Sequence, residues 1–251
     1  MVRVAAVQAT PVFLDREATT DKACALIKEA AAGGARLVAF PESFIPTYPD
    51  WVWRTVSWAD TRYVRLLYEN SVEVPGPIVD RLGEAAAEAG TYVAMGVNEI
   101  DGGTLYNTLL YLGPDGRLLQ RHRKLVPTGG ERLVWGMGDG SGLAVVRAPF
   151  GVIGGLICWE NYMPLARAAV YAQGVDIYLA PTWDNSEVWV ATLRHIAQEG
   201  RVHVVGVAPC QGGSVKFAGR ADPDSIRAVG AGHDQRWSTR GPGAGSGTRF
   251  R

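Results

Sequence analysis

The sequence predicts an α/β fold for residues 1–210, in which helices cover either one mixed sheet or two sheets packed face to face. Apolar residues make up 47% of the 251 residues and charged residues 20%, so the chain can bury a sizeable core. Strand and helix patterns alternate along much of the chain, which is typical of parallel strands. One Gly-rich turn joins two strand patterns directly, which indicates an antiparallel hairpin in the same fold.

The first segment predicts a β-α-β unit. Residues 2–8 (VRVAAVQ) have a strand pattern, and residues 16–35 predict a helix with an Ala-rich apolar face that ends at Gly33 and Gly34. Residues 36–43 (RLVAFPES) then predict a buried strand stopped by a proline. Two strands joined through a helix pair in parallel in most folds of this kind.

The middle of the chain adds a helix, a strand and a hairpin. Residues 78–90 (IVDRLGEAAAEAG) predict the helix, and residues 91–100 (TYVAMGVNEI) predict the strand. Residues 104–124 read as two strands joined by a Gly-Pro-Asp-Gly turn. The strand connections are therefore of two kinds, which favours a mixed sheet or two sheets.

After a polar, Gly-rich loop at residues 128–142, strands and helices alternate again up to residue 210. The predicted elements are strands at 143–151 and 152–158, a helix at 164–174, a strand at 175–181, a helix at 187–201 and a strand at 202–210.

Residues 211–251 have a different composition and form a second predicted region. They contain nine Gly, no Leu and no defensible helix or strand period. Their seven basic and three acidic residues give a net charge of +4, whereas 18 basic and 22 acidic residues give residues 1–210 a net charge of −4. We expect this Gly- and Arg-rich tail to be disordered or irregular, because it offers little to bury.

Charge and cysteine content exclude several classes of protein. Basic and acidic residues number 25 each, so no overall field attracts nucleic acid or a membrane surface. Cys24, Cys158 and Cys210 are an odd number, widely spaced and without a C-x-x-C pattern. This argues against a disulfide framework or a zinc site, and it favours the reducing cytoplasm.

Three predicted strands end next to a chemically reactive side chain, namely Glu42, Lys124 and Cys158. Ligands of α/β sheets usually bind outside the carboxyl ends of the strands, so these residues can meet there. A thiol near its usual pKa of about 8.5 needs a base or a cation to become a nucleophile. Glu42 can take the proton, and Lys124 can stabilise the thiolate and the charge that develops on a substrate.

Each of these residues, taken singly, also fits an ordinary structural role. Cys158 fits a buried core thiol, Glu42 a helix cap or ion-pair partner, and Lys124 a solvated cation in "RHRK". His195 and His203 fit structural or surface positions and not metal ligands. The chain contains no G-x-S-x-G, no G-x-G-x-x-G and no P-loop motif, which argues against a serine hydrolase or a nucleotide-binding protein.

The local sequences around the three residues carry a resemblance. Glu42 is 82 residues before Lys124, which is 34 residues before Cys158. In order and spacing, three segments resemble the nitrilase superfamily of carbon-nitrogen hydrolases, and most closely its nitrilase branch: "FPESFIPTYPDW", "HRKLVPTGGERLVWGMGDGS" and "CWENYMPLAR". The resemblance covers about residues 2–210.

The resemblance implies an α-β-β-α sandwich with a catalytic triad of Glu42, Lys124 and Cys158. It assigns Glu131 to placing the lysine and the substrate, and the backbone N–H of Trp159 to polarising the substrate. The implied reaction is cysteine-dependent hydrolysis of a nitrile to a carboxylic acid and ammonia, without a metal or organic cofactor. The implied partners are a small nitrile or amide and further copies of the chain, with no nucleic acid and no membrane.

Two alternatives remain open at this point. Sister branches use the same triad on other substrates, so the chain could be an amidase or an N-carbamoyl hydrolase. Residues 211–251 also stand where the family has further strands and an oligomer-supporting tail, so the chain could be an inactive, C-terminally truncated homologue with weakened assembly. The tryptophans, including Trp51, Trp53 and Trp58, fit packing, a pocket or an interface.

Overall fold

The computed structural model describes residues 2–56 and 60–210, and it confirms the predicted α/β class. Trp58 and the predicted tail at 211–251 lie outside the described residues. The strands are β1 Val4–Ala6, β2 Leu37–Ala39, β3 Val72–Glu73, β4 Tyr92–Asp101, β5 Thr104–Leu112, β6 Leu118–Arg123, β7 Val146–Ala148, β8 Gly151–Gly155, β9 Ile177–Pro181 and β10 His203–Val207. The helices are α1 Arg16–Ala32, α2 Thr61–Glu69, α3 Pro77–Ala89, α4 Pro164–Tyr171 and α5 Glu187–Gly200.

The first sheet is mixed and has the order β1-β2-β4-β5-β6, with the short β3 paired to the far end of β4. β1, β2 and β4 run parallel, which confirms the predicted β-α-β unit at the start of the chain. β4, β5 and β6 are antiparallel neighbours. The predicted Gly-Pro-Asp-Gly turn joins β5 to β6 through a hydrogen bond from the Gly116 N–H to the Gly113 carbonyl.

The second sheet has the order β10-β9-β8-β7 among the described residues. β8, β9 and β10 are parallel, and β7 forms a hairpin with β8. α4 connects β8 to β9, and α5 connects β9 to β10. β10 pairs with β9 on one side, so it forms one edge of this sheet within the part of the chain that the structure describes.

Alternating side chains along the strands arrange these elements in four layers. On β4, Val93 and Met95 join the apolar cluster that contains the inner faces of α1 and α3, whereas Ala94 joins the cluster between the sheets. On β9, Leu179 faces that same central cluster and Tyr178 faces α4 and α5. β4 and β9 therefore bury both faces. The predicted α-β-β-α architecture is confirmed.

Helix α2 differs from the sequence-based expectation, which placed no element at Thr61–Glu69. Leu67 is its one fully buried residue, and its N-cap residue, Asp60, makes no side-chain capping bond. The capping signal of a helix is therefore absent here. The apolar period is present, because Tyr63, Leu66 and Leu67 stand at helical spacing and pack in one cluster. The helix forms at the edge of a small aromatic cluster that includes Trp51.

None of the helices in residues 2–56 and 60–210 is both long enough and apolar enough to cross a lipid bilayer.

Candidate active site

Glu42, Lys124 and Cys158 lie at the carboxyl ends of three strands, as the sequence predicts. Glu42 follows β2, Lys124 follows β6, and Cys158 follows β8. Exposed fractions are 1% for Glu42, 1% for Lys124 and 5% for Cys158. Because charged residues are almost never fully buried unless paired, the burial of Glu42 and Lys124 requires specific partners.

A glycine in β4 lets the turn that carries Glu42 approach the sheet closely. A Cβ atom on Gly96 would lie 2.2 Å from the carbonyl oxygen of Pro41 and 2.6 Å from the amide nitrogen of Ser43. Ser43 itself has a φ of 52°, in the left-handed region that non-glycine residues seldom adopt. After this turn the chain pairs with β4 again, where Ile45 forms a parallel bridge with Val97.

The carboxylate of Glu42 accepts three hydrogen bonds. Its Oε1 accepts from Asn107 Nδ2 at 2.8 Å and from Lys124 Nζ at 2.8 Å. Its Oε2 accepts from the backbone N–H of Trp183 at 2.9 Å, in the loop that follows β9. Side chains of the first sheet and backbone of the second sheet therefore fix the orientation of this carboxylate together.

Lys124 lies between two buried carboxylates. Its Nζ is 2.8 Å from Glu42 Oε1 and 2.7 Å from Glu131 Oε2, and it lies 5.9 Å from the centre of the Trp135 ring. Burial alone would lower the pKa of this lysine, but the negative charges of Glu42 and Glu131 outweigh burial and raise it. Lys124 is therefore a fixed cation at neutral pH.

Glu131 is anchored as firmly as the lysine it contacts. It lies in a 3₁₀ helix at Gly129–Leu133, and its Oε2 also accepts from the backbone N–H of Thr128 at 2.7 Å. Its Oε1 accepts from the hydroxyl of Tyr48 at 2.7 Å. The structure thus joins Glu131 to Lys124 and Glu42 in one continuous hydrogen-bonded chain.

Cys158 begins a 3₁₀ helix at Cys158–Tyr162 and has a φ of 49°. A left-handed cysteine costs conformational energy and is an outlier of the kind that clusters at functional sites. Its Sγ accepts a hydrogen bond from Thr182 Oγ1 at 3.1 Å, and its carbonyl accepts from Asn161 Nδ2 at 2.8 Å. The backbone N–H of Asp184 donates to the same Thr182 hydroxyl at 2.9 Å, which fixes the hydroxyl beside the thiol.

Burial raises the pKa of the Cys158 thiol, and the negative charge of Glu42 raises it further, whereas the charge of Lys124 and the bond from Thr182 lower it. Burial also raises the pKa of Glu42, against the opposing charge of Lys124. The thiol is therefore neutral at neutral pH. The carboxyl group of Glu42, whose charge acts on the thiol, is the candidate base beside it.

Trp159 follows Cys158 directly, and its ring lies at the surface with 48% of the residue exposed. Its indole N–H donates to Asp184 Oδ2 at 3.0 Å, which ties the segment after the cysteine to the loop that carries Thr182. The assignment of its backbone N–H to substrate polarisation stays a prediction.

Several residues of this site escaped the sequence reasoning, although two of them carried a signal. Asn107 is a polar residue inside the otherwise apolar β5, and Thr182 directly follows the buried β9. Tyr48 and Trp183 stack with ring centres 4.6 Å apart and rings 9° from parallel. These two aromatic residues stand in loops, where no period marks them.

Within the described ranges, no group of three or more His, Cys, Asp or Glu side chains is arranged to hold a metal ion. His195 is exposed on α5 and pairs with Glu199 at 3.6 Å, and His203 is exposed on β10, as expected of surface histidines. Trp51 packs fully buried, whereas Trp53 is 47% exposed.

The sequence model of the carbon-nitrogen hydrolase family matches residues 3–238. The chain belongs to this family. The predicted resemblance is thereby confirmed. The match extends past residue 210, and the proposed boundary between a hydrolase domain and a separate tail stays a prediction.

Relatives of this carbon-nitrogen hydrolase point to one branch. An aliphatic nitrilase of Sinorhizobium fredii (strain HH103) is 49% identical over 220 residues, which cover 83% of this chain and 68% of the relative. A bifunctional nitrilase/nitrile hydratase of Lupinus angustifolius, NIT4A, is 49% identical over 209 residues, which cover 81% of this chain and 60% of the relative. Nitrilase 3 of Arabidopsis thaliana is 46% identical over 213 residues, which cover 81% of this chain and 60% of the relative. The chain thus spans about 60% of the length of these two plant relatives.

Among solved structures, the amidase of Nesterenkonia sp. AN1 has the same fold. It matches with a TM-score of 0.67 at 19% identity, covering 84% of this chain and 79% of the amidase. At that identity the likeness concerns the fold, and it agrees with the four-layer architecture described above.

Proposed function

We propose that this protein hydrolyses a nitrile to a carboxylic acid and ammonia, with Cys158 as the nucleophile and Glu42 as the general base. The observation that carries the proposal is the buried chain Glu42–Lys124–Glu131, with links of 2.8 and 2.7 Å, set beside a buried thiol. Burying two anions around one cation costs desolvation free energy. Such buried charged groups cluster at functional sites. The relatives named as nitrilases support the choice of substrate.

The first step forms a covalent adduct. Glu42 takes the proton of the Cys158 thiol, and the thiolate attacks the carbon of the nitrile. One π bond of C≡N breaks, and Glu42 returns the proton to the nitrogen, which gives a thioimidate on Cys158. Lys124 and the backbone N–H of Trp159 stabilise the negative charge that develops on the nitrogen in this step.

Two water molecules complete the reaction. The first attacks the thioimidate carbon while Glu42 accepts its proton, and protonation of the nitrogen then breaks the C–N bond, releases ammonia and leaves a thioester. The second water attacks the thioester carbon with Glu42 again as base. The C–S bond breaks, Cys158 regains its proton, and the carboxylic acid leaves.

Lys124 and Glu131 have separate parts in this scheme. Lys124 remains protonated and supplies a positive charge close to both the thiolate and the base. Glu131 holds the lysine at 2.7 Å, while its other oxygen is held by Tyr48. Because the groups are fixed before the reaction, little reorganisation is needed in the transition state.

Amide hydrolysis is the alternative within the same chemistry. The thiolate would attack an amide carbonyl, and loss of ammonia would give the same thioester. The amidase likeness extends to the fold alone, whereas the relatives at 46–49% identity are named nitrilases. The nitrile is therefore the preferred substrate in this proposal.

A paired screen for ammonia release tests the function. Aliphatic, aromatic and arylacetonitrile substrates are each assayed beside the matching amide. The proposal expects ammonia and acid from at least one nitrile at a higher kcat/KM than from its amide. Faster turnover of the amides, or of N-carbamoyl compounds, would identify the sister activity, and no turnover at all would identify an inactive homologue.

Assembly and location are further parts of the proposal. We propose a homo-oligomer from the family resemblance, and the exposed Leu165 on α4 and Val188 on α5 are candidates for the surface that it covers. Sedimentation velocity of the full chain tests this, and a monomer at all concentrations would contradict it. Cytoplasmic location remains a prediction from cysteine usage.

The pH dependence follows from the raised pKa of Glu42. Burial, opposed in part by Lys124, raises this pKa, and the base is active only when ionised. Activity is therefore lost as the pH falls through the raised pKa. We expect the acid limb of the kcat/KM profile to lie above the ordinary glutamate value of about 4.3. A limb at or below that value would contradict the assignment of Glu42 as the base.

Glu42→Gln is the matched variant for this profile. Glutamine has almost the same shape but cannot take a proton, so we expect kcat to fall by about 10²–10⁴-fold with little change in KM. The pH profile of the residual activity should also lack the acid limb that the wild type shows. A variant that keeps its kcat and binds substrate more weakly would make Glu42 a substrate-positioning group instead.

A further inference from the structure

We propose that Glu160 is a positioning residue that sets the placement of Cys158 relative to Lys124. It acts through two backbone amides, each next to one of those residues. The proposal rests on the roles proposed above for Lys124 and Cys158. Glu160 itself is fully buried, with 1% exposed, two residues after Cys158.

The carboxylate of Glu160 connects the two sheets directly. Its Oε1 accepts from the backbone N–H of Leu125 at 2.6 Å, and its Oε2 accepts from the backbone N–H of Ile157 at 2.6 Å. Leu125 immediately follows Lys124 at the end of β6, and Ile157 immediately precedes Cys158 beyond β8. The carboxylate of Glu160 therefore sets the spacing between the backbone next to Lys124 and the backbone next to Cys158.

His122 holds the carboxylate from a third side. Its Nε2 lies 3.1 Å from Glu160 Oε1 and 2.9 Å from Oε2, and the imidazole is equally buried. Its Nδ1 has no hydrogen-bond partner among the described residues, so the ring hydrogen belongs on Nε2, where it donates to Glu160. Three hydrogen-bond donors, namely two backbone amides and the imidazole N–H of His122, thus converge on the carboxylate of Glu160.

These donors explain why the residue must be a carboxylate. A carboxylate accepts through both oxygens and presents no hydrogen, whereas a glutamine would turn an NH2 group toward one of the two amides. Charge-assisted bonds of this kind are also shorter and stronger than neutral ones. Losing one of them frees either Leu125 or Ile157, and a small displacement of a reacting group lowers the rate by up to about 10²-fold.

The test compares Glu160→Gln with Glu99→Gln in the full chain. Glu99 on β4 is an equally buried carboxylate, and it accepts from Thr108, Arg121 and Arg123 instead of touching the site. We expect Glu160→Gln to lower kcat by about 10²-fold with a nearly unchanged KM. Glu99→Gln should lower the melting temperature and leave kcat near wild type.

Two outcomes would overturn the proposal. One is a wild-type kcat in Glu160→Gln. The other is an equal loss of kcat in both variants, because the effect would then report general destabilisation. If Glu160→Gln does not fold, His122→Leu replaces it, since it removes one donor and leaves both amide bonds. A several-fold loss of kcat with KM preserved is then expected, and an unchanged kcat would overturn the proposal.

A second measurement separates this proposal from the proposed function. The rate at which iodoacetamide alkylates Cys158, followed by peptide mass spectrometry, needs no substrate. If the wild type releases no ammonia from any nitrile or amide, the proposed function fails, yet Glu160→Gln should still change this alkylation rate more than Glu99→Gln. Equal alkylation rates in the wild type and both variants would overturn the proposed role of Glu160. They would not bear on the proposed function.

Discussion

We expect Cys158→Ala to abolish ammonia release from every nitrile and amide while the protein keeps its fold. The substitution removes the proposed nucleophile, and a thiol is the strongest nucleophile among the side chains of the site. The packing change is small, because alanine lacks only the sulfur atom of the buried side chain, and the side-chain hydrogen bond that is lost comes from Thr182. Ammonia assays and circular dichroism on the same sample measure both effects.

Cys24→Ala is the matched control for this variant. Cys24 is a partly buried thiol on α1, and its sulfur lies 3.9 Å from the carbonyl oxygen of Arg81, outside the site. We expect it to keep wild-type turnover. Turnover near wild type in Cys158→Ala would refute the assignment of the nucleophile.

Lys124→Met is expected to cost both activity and stability. The aliphatic part of the side chain is preserved, but Glu42 and Glu131 lose their shared cation while remaining buried. Removing one partner of a buried ion pair typically destabilises a protein by about 3–5 kcal/mol. Turnover should fall at least as far as in a general-base variant, by about 10²-fold or more.

The loss of stability in Lys124→Met should depend on pH. Lys124 lowers the pKa of Glu42, so its removal raises that pKa further. A carboxyl whose pKa is higher in the folded state than in the unfolded state stabilises the fold at low pH, and it loses that contribution as the pH rises through the folded value. Urea unfolding at neutral and mildly acidic pH should therefore show the larger loss at neutral pH.

Lys28→Met is the control for the lysine substitution. Lys28 pairs with Glu88 at 2.6 Å, but both side chains are more than half exposed. A surface change of this kind usually alters the free energy of unfolding by about 0.5 kcal/mol or less. Equal destabilisation by the two lysine variants would contradict the burial argument for Lys124.

The sequence predicted the layers well because local patterns encode them. Leu37–Ala39 and Ile177–Pro181 are fully apolar runs, as expected of strands buried on both faces. Helix α1 ends at Gly33, close to the predicted stop. Helix α2 does carry an apolar period, through Tyr63, Leu66 and Leu67, but no side-chain cap marks its start and the prediction omitted it.

The residues proposed as catalytic were predictable from chemistry and position, but their supports were not. Glu42, Lys124 and Cys158 combine a reactive group with the end of a strand, which is a visible signal. Glu160 lies within "CWENYMPLAR", yet the sequence indicates no role for it, because its two amide partners come together only through the packing of the two sheets. Such contacts between distant segments leave no trace in local sequence.

The same limit applies to the loop after β9. Thr182 contacts Cys158, and the neighbouring Trp183 holds Glu42 through its backbone N–H. A backbone donor has no side-chain identity, so no residue type could have marked it. The loop brings the nucleophile and the proposed base together, although Glu42 is 141 positions away from Trp183 in sequence.

Rapid quenching followed by peptide mass spectrometry tests the central claim most directly. During turnover of a nitrile whose nitrogen carries an isotope label, the account predicts an adduct on Cys158 that first retains the label and then, as the thioester, has lost it. Cys24 and Cys210 should stay unmodified. Turnover without any adduct on Cys158 at any time would contradict the account, and so would a transient adduct that forms on another cysteine.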